Sequence, residues 1–307
     1  MGSALHNFFI IVVNTEFIIG IVGNGFIILV NCIDWLKKRK ISSVDRILTA
    51  LAISRICVIW MEMMTWFAKD FYPSSFMNKK EAIYVILGVV ASYLSNWFAT
   101  GLSLFYFLKI ANFSNPVFLC LKHRVKMVVQ VMLLGALVFL PLNISMASMY
   151  INIQIHPYEG NTTLSFKRSN TENFTKLIIL IVGDILPFLI FLNSFILLIV
   201  SLWKHLKNMK HSAKGFGDLH LKAHIRAMKS VMSFLLLVVV YILSIFITVF
   251  CSEMMQNKLV FWLDQSIMNF YPSVHSFILI LGNGKLRKAS LAVLQQWKCC
   301  WRASYVT

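Results

Sequence analysis

Long apolar runs separated by short polar connections dominate this chain. A helix needs about 20 mostly apolar residues to cross bilayer hydrocarbon, and seven runs reach that length: 8–33, 46–68, 82–108, 127–149, 177–203, 230–252 and 259–282. None shows the ten-residue alternation of a barrel strand, and a backbone in hydrocarbon must satisfy its own hydrogen bonds. The pattern therefore predicts an all-α membrane protein, a seven-transmembrane helix bundle. The connections are too short to form a second domain. Residues 1–307 read as one seven-helix domain with a short tail over 283–307, and the function has to lie within the bundle or on its rims.

Charge then orients the bundle. Lys37, Lys38, Arg39, Lys40 and Arg46 flank the first connection, and Lys109, Lys122, Arg124 and Lys126 the third. Lys204, Lys207, Lys210, Lys214, Lys222, Arg226 and Lys229 lie in the fifth, and Lys285, Arg287, Lys288, Lys298 and Arg302 in the tail. The other side holds only Lys69, Lys79, Lys80, Lys167, Arg168, Lys176 and Lys258. This asymmetry predicts an outside N-terminus and a cytoplasmic tail. The net charge of +17 is thus a topology signal first, and attraction to anionic lipid a secondary consequence. Nucleic acid is not an expected partner, because the basic residues sit in short loops with no binding module between them.

The start, MGSALHNFF, lacks a basic n-region, so the first helix is expected to do the targeting. The six cysteines include none clearly in an outer loop, and no zinc spacing or cofactor motif is present. Cys299 and Cys300, beside Trp297 and Trp301, are candidate palmitoylation sites. The polar outer loop near 150–175 carries the glycosylation acceptors Asn161 and, closer to the membrane, Asn173, with Asn161 the better placed. A further acceptor pattern at Asn143 falls inside the fourth span, and the one at Asn112 faces the cytoplasm. The fifth connection reads as two basic helix extensions around a GFGD turn, either a solvated flank or a docking surface.

Polar groups inside the spans are the functional suspects: Glu16, Asn24, Arg55, Glu62, Ser92, Asn96, Asp184, Asn193, Asp264, Gln265, Asn269 and His275. Arg55 falls near the bilayer centre, where an unpaired guanidinium costs about 2.5–3.5 kcal/mol on insertion scales. Asn24 and His275 fall at a similar level. An arginine needs acceptors for five N–H donors, and the expectation is an interior network in which Asn24, carbonyls near Pro272, and Ser276 supply them. An ion or proton pathway is the alternative, although the acidic residues form no repeated ladder. Pro187 and Pro272 predict kinks in the fifth and seventh helices. Toward the outside, Trp66, Tyr93, Asp184, Tyr241, Asp264, Gln265 and Met268 suit a mostly apolar cavity for a small amphipathic ligand. No HExxH, paired catalytic Asp or Ser/His arrangement suggests an enzyme.

Five stretches together carry a resemblance: EFIIGIVGNGFIILVNCIDW, RKISSVDRILTALAISRI, WFATGLSLFYFLKIANFS, YPSVHSFIL and LILGNGKLRKASL. With these, the chain resembles the taste receptor type 2 family, the bitter taste receptors, across all seven helices. The resemblance implies a G-protein-coupled receptor that binds bitter compounds in an outer cavity and activates a gustducin-type heterotrimer. Membrane lipid is a further expected partner, with sterol left open. It implies that Arg55 pairs with Asn24, that Tyr241 is an aromatic switch, and that Trp66 lines the pocket. The implied pocket comprises Trp66, Gly88, Val89, Ser92, Tyr93, Asp184, Tyr241, Asp264, Gln265 and Met268. Tyr106 and Lys109 occupy the place of the acidic-arginine switch of other receptors. With Lys204, His205 and Lys207 they are the expected G-protein-facing residues. Asn161 matches the family's central glycosylation site. Gly88, Ser92, Tyr93 and Gln265 depart from the Trp, Asn, His and Glu common in the family, which suggests a larger, less polar floor. Asp184 and Asp264 are expected to favour cationic or donor-rich ligands. From physics alone the alternative function is a channel or transporter.

Overall fold

The computed structural model describes residues 2–38, 41–71, 79–111, 113–155, 174–175, 178–179, 181–212, 233, 235–244, 246–247 and 258–304. Among these residues the regular elements are helical, with no strand. In chain order they are α1 (Gly2–Lys38), α2 (Ser43–Phe71), α3 (Lys79–Ile110), α4 (Pro116–His123), α5 (Val125–Ile155) and α6 (Leu186–Ser212). There follow α7 (Leu235–Ser244), α8 (Lys258–Gly282) and α9 (Gly284–Ser304). A π-helical turn, Ile181–Ile185, leads into α6.

Among the described residues, five stretches are long and apolar enough to cross a membrane: Ala4–Lys37, Ser43–Ala68, Ala82–Ile110, Val125–Asn152 and Ile181–Ser201. α8 is 25 residues long, and its Asp264, Gln265, Asn269 and His275 dilute its apolar character. Of the sixth expected span, α7 is the main described part. Several helices run past the expected spans, since the helical backbone continues beyond the hydrocarbon slab that sets an apolar run's length.

Two elements have local causes that the apolar pattern does not carry. α4 starts where the Asn115 side chain accepts a hydrogen bond from the Val117 N–H, with Pro116 at the first helical position. Asn283 separates α8 from α9: its Oδ1 accepts from the Lys285 N–H at 2.9 Å and the Leu286 N–H at 3.3 Å. The stretch expected as a tail is therefore largely helical.

α1 packs on α2 and α8, and α3 packs on α2, α5 and α6. Because lipid is as apolar as leucine, such contacts depend on close packing and interhelical hydrogen bonds. Gly20 and Gly23 supply the closeness in α1, since a Cβ on either would overlap the Ser273 or Ser276 hydroxyl of α8. A single apolar cluster joins Ile27, Leu48, Leu51, Leu102, Phe195, Val238, Ile280 and Leu286. α5 contributes a narrow buried face, with Val129, Ala136, Asn143, Ala147 and Ile151 inside. Val131, Leu134 and Val138 stand exposed on its outer face, as a lipid-facing surface requires.

Candidate functional site

A cavity of about 330 Å³ opens between α2, α3, α5, the π turn, α7 and α8, within the range of small-molecule sites. Gly88, Val89, Ser92, Tyr93, Asp184, Tyr241, Asp264, Gln265 and Met268 all line it. Trp66 does not line it: its side chain is 1% exposed and packs edge-on against Phe67. Glu62 and Asn143 line the cavity as well. Both were visible in the sequence, Glu62 as an intramembrane acid and Asn143 as a glycosylation pattern within a span. Neither carried a signal of facing the same space.

Among the described lining residues three carry carboxylates, and each has a neutral donor from another helix. Asn96 Nδ2 donates to Asp184 Oδ1 at 2.6 Å. Gln265 Nε2 donates to Glu62 Oε2 at 2.7 Å, and the Ser244 hydroxyl donates to Asp264 Oδ1. Among the described lining residues none is basic. The wall is thus acidic and its carboxylates are held in place by amides and a hydroxyl.

Pro187 explains the shape of the α6 wall. It has no N–H to give the Gly183 carbonyl one turn earlier, and Asn96 Nδ2 reaches that carbonyl at 3.5 Å. The Thr100 hydroxyl donates to the Pro187 carbonyl at 3.0 Å. The resulting π turn carries Gly183 and Asp184 to the cavity, in keeping with the tendency of such bulges to sit at functional sites.

Below lies a smaller void of about 20 Å³, bordered by Asn96, Thr100, Asp184, Tyr241 and Tyr271, with room for about one water. Asp184 and Tyr241 line both spaces. Tyr241 stacks on Tyr271 with ring centroids 4.6 Å apart. Arg55, 0% exposed, donates from Nη2 to the Tyr271 hydroxyl at 3.3 Å. Its Cζ stands 5.2 Å from the centre of the same ring.

This geometry changes the expected network. Asn24 Nδ2 donates to the Gly20 carbonyl at 2.9 Å and the Pro272 carbonyl at 3.3 Å, while its Oδ1 has no hydrogen-bond partner. Asn24 therefore joins α1 to α8 instead of accepting from Arg55. Ser276 donates to the Ser273 carbonyl. His275 is buried and stacks on Tyr271 with centroids 6.0 Å apart. Tyr271 is the partner that sequence reasoning missed. Its signal was present, because a tyrosine one turn before His275 offers both an acceptor oxygen and a π face to a cation.

At the opposite end, Tyr106 is partly buried in α3 and Lys109 is exposed, with Nζ 5.7 Å from the Phe105 ring centre. Lys204 is exposed on α6. His205 and Lys207 belong to the same helix, but their side chains lie outside the described set, as do Asn161 and Asn173 entirely. Lys285 Nζ bridges Asp34 at 3.3 Å and Asp45 at 2.9 Å, tying the start of α9 to α1 and α2. Cys299 is exposed, and the Cys300 side chain lies outside the described set.

The family described as Taste receptor protein (TAS2R) matches residues 1–298. Similar curated proteins include taste receptor type 2 member 14 of Homo sapiens and of Pan paniscus, each 50% identical over 297 residues. The alignments cover 96% of this chain and 93% of each relative. Taste receptor type 2 member 46 of Pan troglodytes is 45% identical over 286 residues, 93% of both chains. These relatives are named as receptors, not as enzymes, channels or transporters.

Proposed function

The chain belongs to the taste receptor type 2 family, and on that premise we propose that the 330 Å³ cavity is its binding site for bitter small molecules. It is a multi-pass membrane receptor for tastants with seven spanning helices, and not an enzyme. The N-terminus lies outside, and the inner ends of α3 and α6, with Tyr106, Lys109, Lys204, His205 and Lys207, face a gustducin-type heterotrimer. Asn161 carries the outer-loop glycan.

The single observation that supports this reading most is the continuity of the cavity with the buried core. Tyr241 forms part of the cavity wall, stacks on Tyr271, and so reaches Arg55. An agonist that binds one arrangement of Tyr241 more tightly shifts the population toward it. The acidic wall favours cationic or donor-rich agonists, because the carboxyl groups of Glu62, Asp184 and Asp264 offer acceptors and a counter-charge to an incoming donor, with no basic lining residue among those described.

Calcium mobilisation in cells carrying a gustducin-containing chimeric G protein tests the reading, with a broad bitter panel and mock controls. The expected result is a response that disappears without the G protein and whose potency for cationic agonists falls in Asp184→Asn and Asp264→Asn. Unchanged potency in both variants would sink the charge preference. A current or uptake that survives loss of the G protein would sink the receptor mechanism.

A further inference from the structure

Asn143 is 0% exposed, and neither its Nδ2 nor its Oδ1 has a hydrogen-bond partner. It lies on α5, whose other buried positions are Val129, Ala136, Ala147 and Ile151, all apolar. A carboxamide on such a face costs free energy unless something pairs with it. This one borders the acidic cavity. Its surroundings leave it little choice of partner within the protein: the neighbouring Tyr93 hydroxyl donates to the Ala136 carbonyl at 2.6 Å, and Asn96 is committed to Asp184. Gly183 passes close beside it. A Cβ there would stand 3.3 Å from Asn143 Nδ2 and 3.9 Å from the Tyr93 ring, so the absence of a side chain on the π turn keeps the carboxamide uncrowded.

We propose that Asn143 is a specificity-determining ligand contact, and that it selects cationic amphiphiles carrying a primary carboxamide or lactam. A carboxamide presents one donor and one acceptor on the same edge. A ligand group with C=O and N–H on one edge satisfies both, with Nδ2 donating to the ligand carbonyl and Oδ1 accepting from the ligand N–H. The same ligand's ammonium group then meets the carboxylates of Asp184 and Asp264 across the cavity. The proposal rests on the reading of this cavity as the agonist site. It adds a residue and a ligand chemistry to that site.

The test is calcium mobilisation with a set of aryl-substituted alkyl amines, protonated at neutral pH and bearing a primary carboxamide or lactam, disopyramide among them. Each is measured beside the analogue that lacks any amide N–H donor, the N,N-dimethyl carboxamide or the N-methyl lactam. The wild-type receptor is expected to prefer the unmethylated member by about tenfold or more, the scale of one buried polar group left unpaired. Asn143→Leu removes that preference at matched surface expression while the response to amines without a carboxamide persists. Gly183→Ala, which presses on Nδ2 without removing the amide, is expected to narrow the preference. Retention of the full preference in Asn143→Leu overturns the proposal, and so does wild-type silence to the whole set alongside responses to other amines. Ser92→Trp separates the two levels. If it abolishes every response while Asn143→Leu changes nothing, the Asn143 assignment fails and the cavity stands. If every response survives Ser92→Trp, the cavity reading itself fails.

Discussion

Arg55 hydrogen-bonds to the hydroxyl of Tyr271 and also stands over its ring, so one side chain of α8 answers both the charge and the geometry of a guanidinium buried in α2. Nε and Nη1 have no further hydrogen-bond partner, which leaves Tyr271 as the principal polar contact. Tyr271→Phe keeps the ring and loses the acceptor. A hydrogen bond to a charged group contributes about 1.5–3 kcal/mol, and a desolvated cation–π contact about 2 kcal/mol. The expected order of thermal stability in detergent is therefore wild type, Tyr271→Phe, Tyr271→Ala. Arg55→Lys is expected to fail as a replacement because a compact ammonium cannot stand over the Tyr271 ring as a planar guanidinium does and also reach its hydroxyl. Equal melting temperatures across the series would remove the pair from the stabilising network.

The interior depth of Arg55 was legible because hydropathy sets register along a helix, and seven apolar runs fix how far each residue lies from the membrane face. Which groups meet across the bundle was only partly legible. Asn24 and Arg55 share a level, yet Asn24 turns to the Gly20 and Pro272 carbonyls, because rotation about each helix axis depends on packing that one chain's pattern does not encode. Gly88, Val89, Ser92 and Tyr93 on α3 and Asp264, Gln265 and Met268 on α8 line one cavity, and it was the resemblance, more than the apolar pattern, that grouped them. The inward aim of Asn143 was hidden, since one amide among the apolar buried positions of α5 gives no periodic signal. The π turn was equally hidden. Pro187 announces a break, and only the neighbouring Asn96 and Thr100 decide how that break is resolved.

Tyr241 borders both the large cavity and the small void beneath it, and stacks on Tyr271. Tyr241→Ala deletes that stack, worth about 0.5–1.5 kcal/mol beyond its burial for an aromatic pair, and opens the floor of the cavity. The expected outcome in the calcium assay is a clear loss of agonist efficacy at preserved surface expression, with Tyr241→Phe intermediate. A Tyr241→Ala receptor with unchanged potency and efficacy would exclude the residue from transmission.

The α1–α8 seam depends on glycine. A Cβ on Gly23 would overlap the Ser276 hydroxyl and come within 3.0 Å of the Phe277 ring. Gly23→Ala is expected to destabilise the receptor by about 1–3 kcal/mol, the range for forced overpacking. Ser276→Gly removes the hydroxyl and its carbon, so the double variant should recover part of the loss. Such non-additivity is the signature of direct contact, and it is read by thermal unfolding of the purified variants. Strict additivity would place the cost elsewhere.

Pro187 links the backbone to the acidic wall. Its missing N–H leaves the Gly183 carbonyl for Asn96, and the same Asn96 amide nitrogen holds Asp184. Pro187→Ala restores a donor at the position from which an α-helix would close on that carbonyl. Two consequences follow from one substitution. The helix gains a backbone hydrogen bond and a better propensity, so stability is expected to hold or rise. The π turn is expected to tighten and rotate Asp184 away from Asn96, so potency for cationic agonists should fall while neutral agonists change less. Thermal unfolding and concentration–response curves on the same variant measure the two effects separately. A variant that loses stability and keeps its cationic potency would show that Pro187 serves packing and leaves the aim of Asp184 to other contacts.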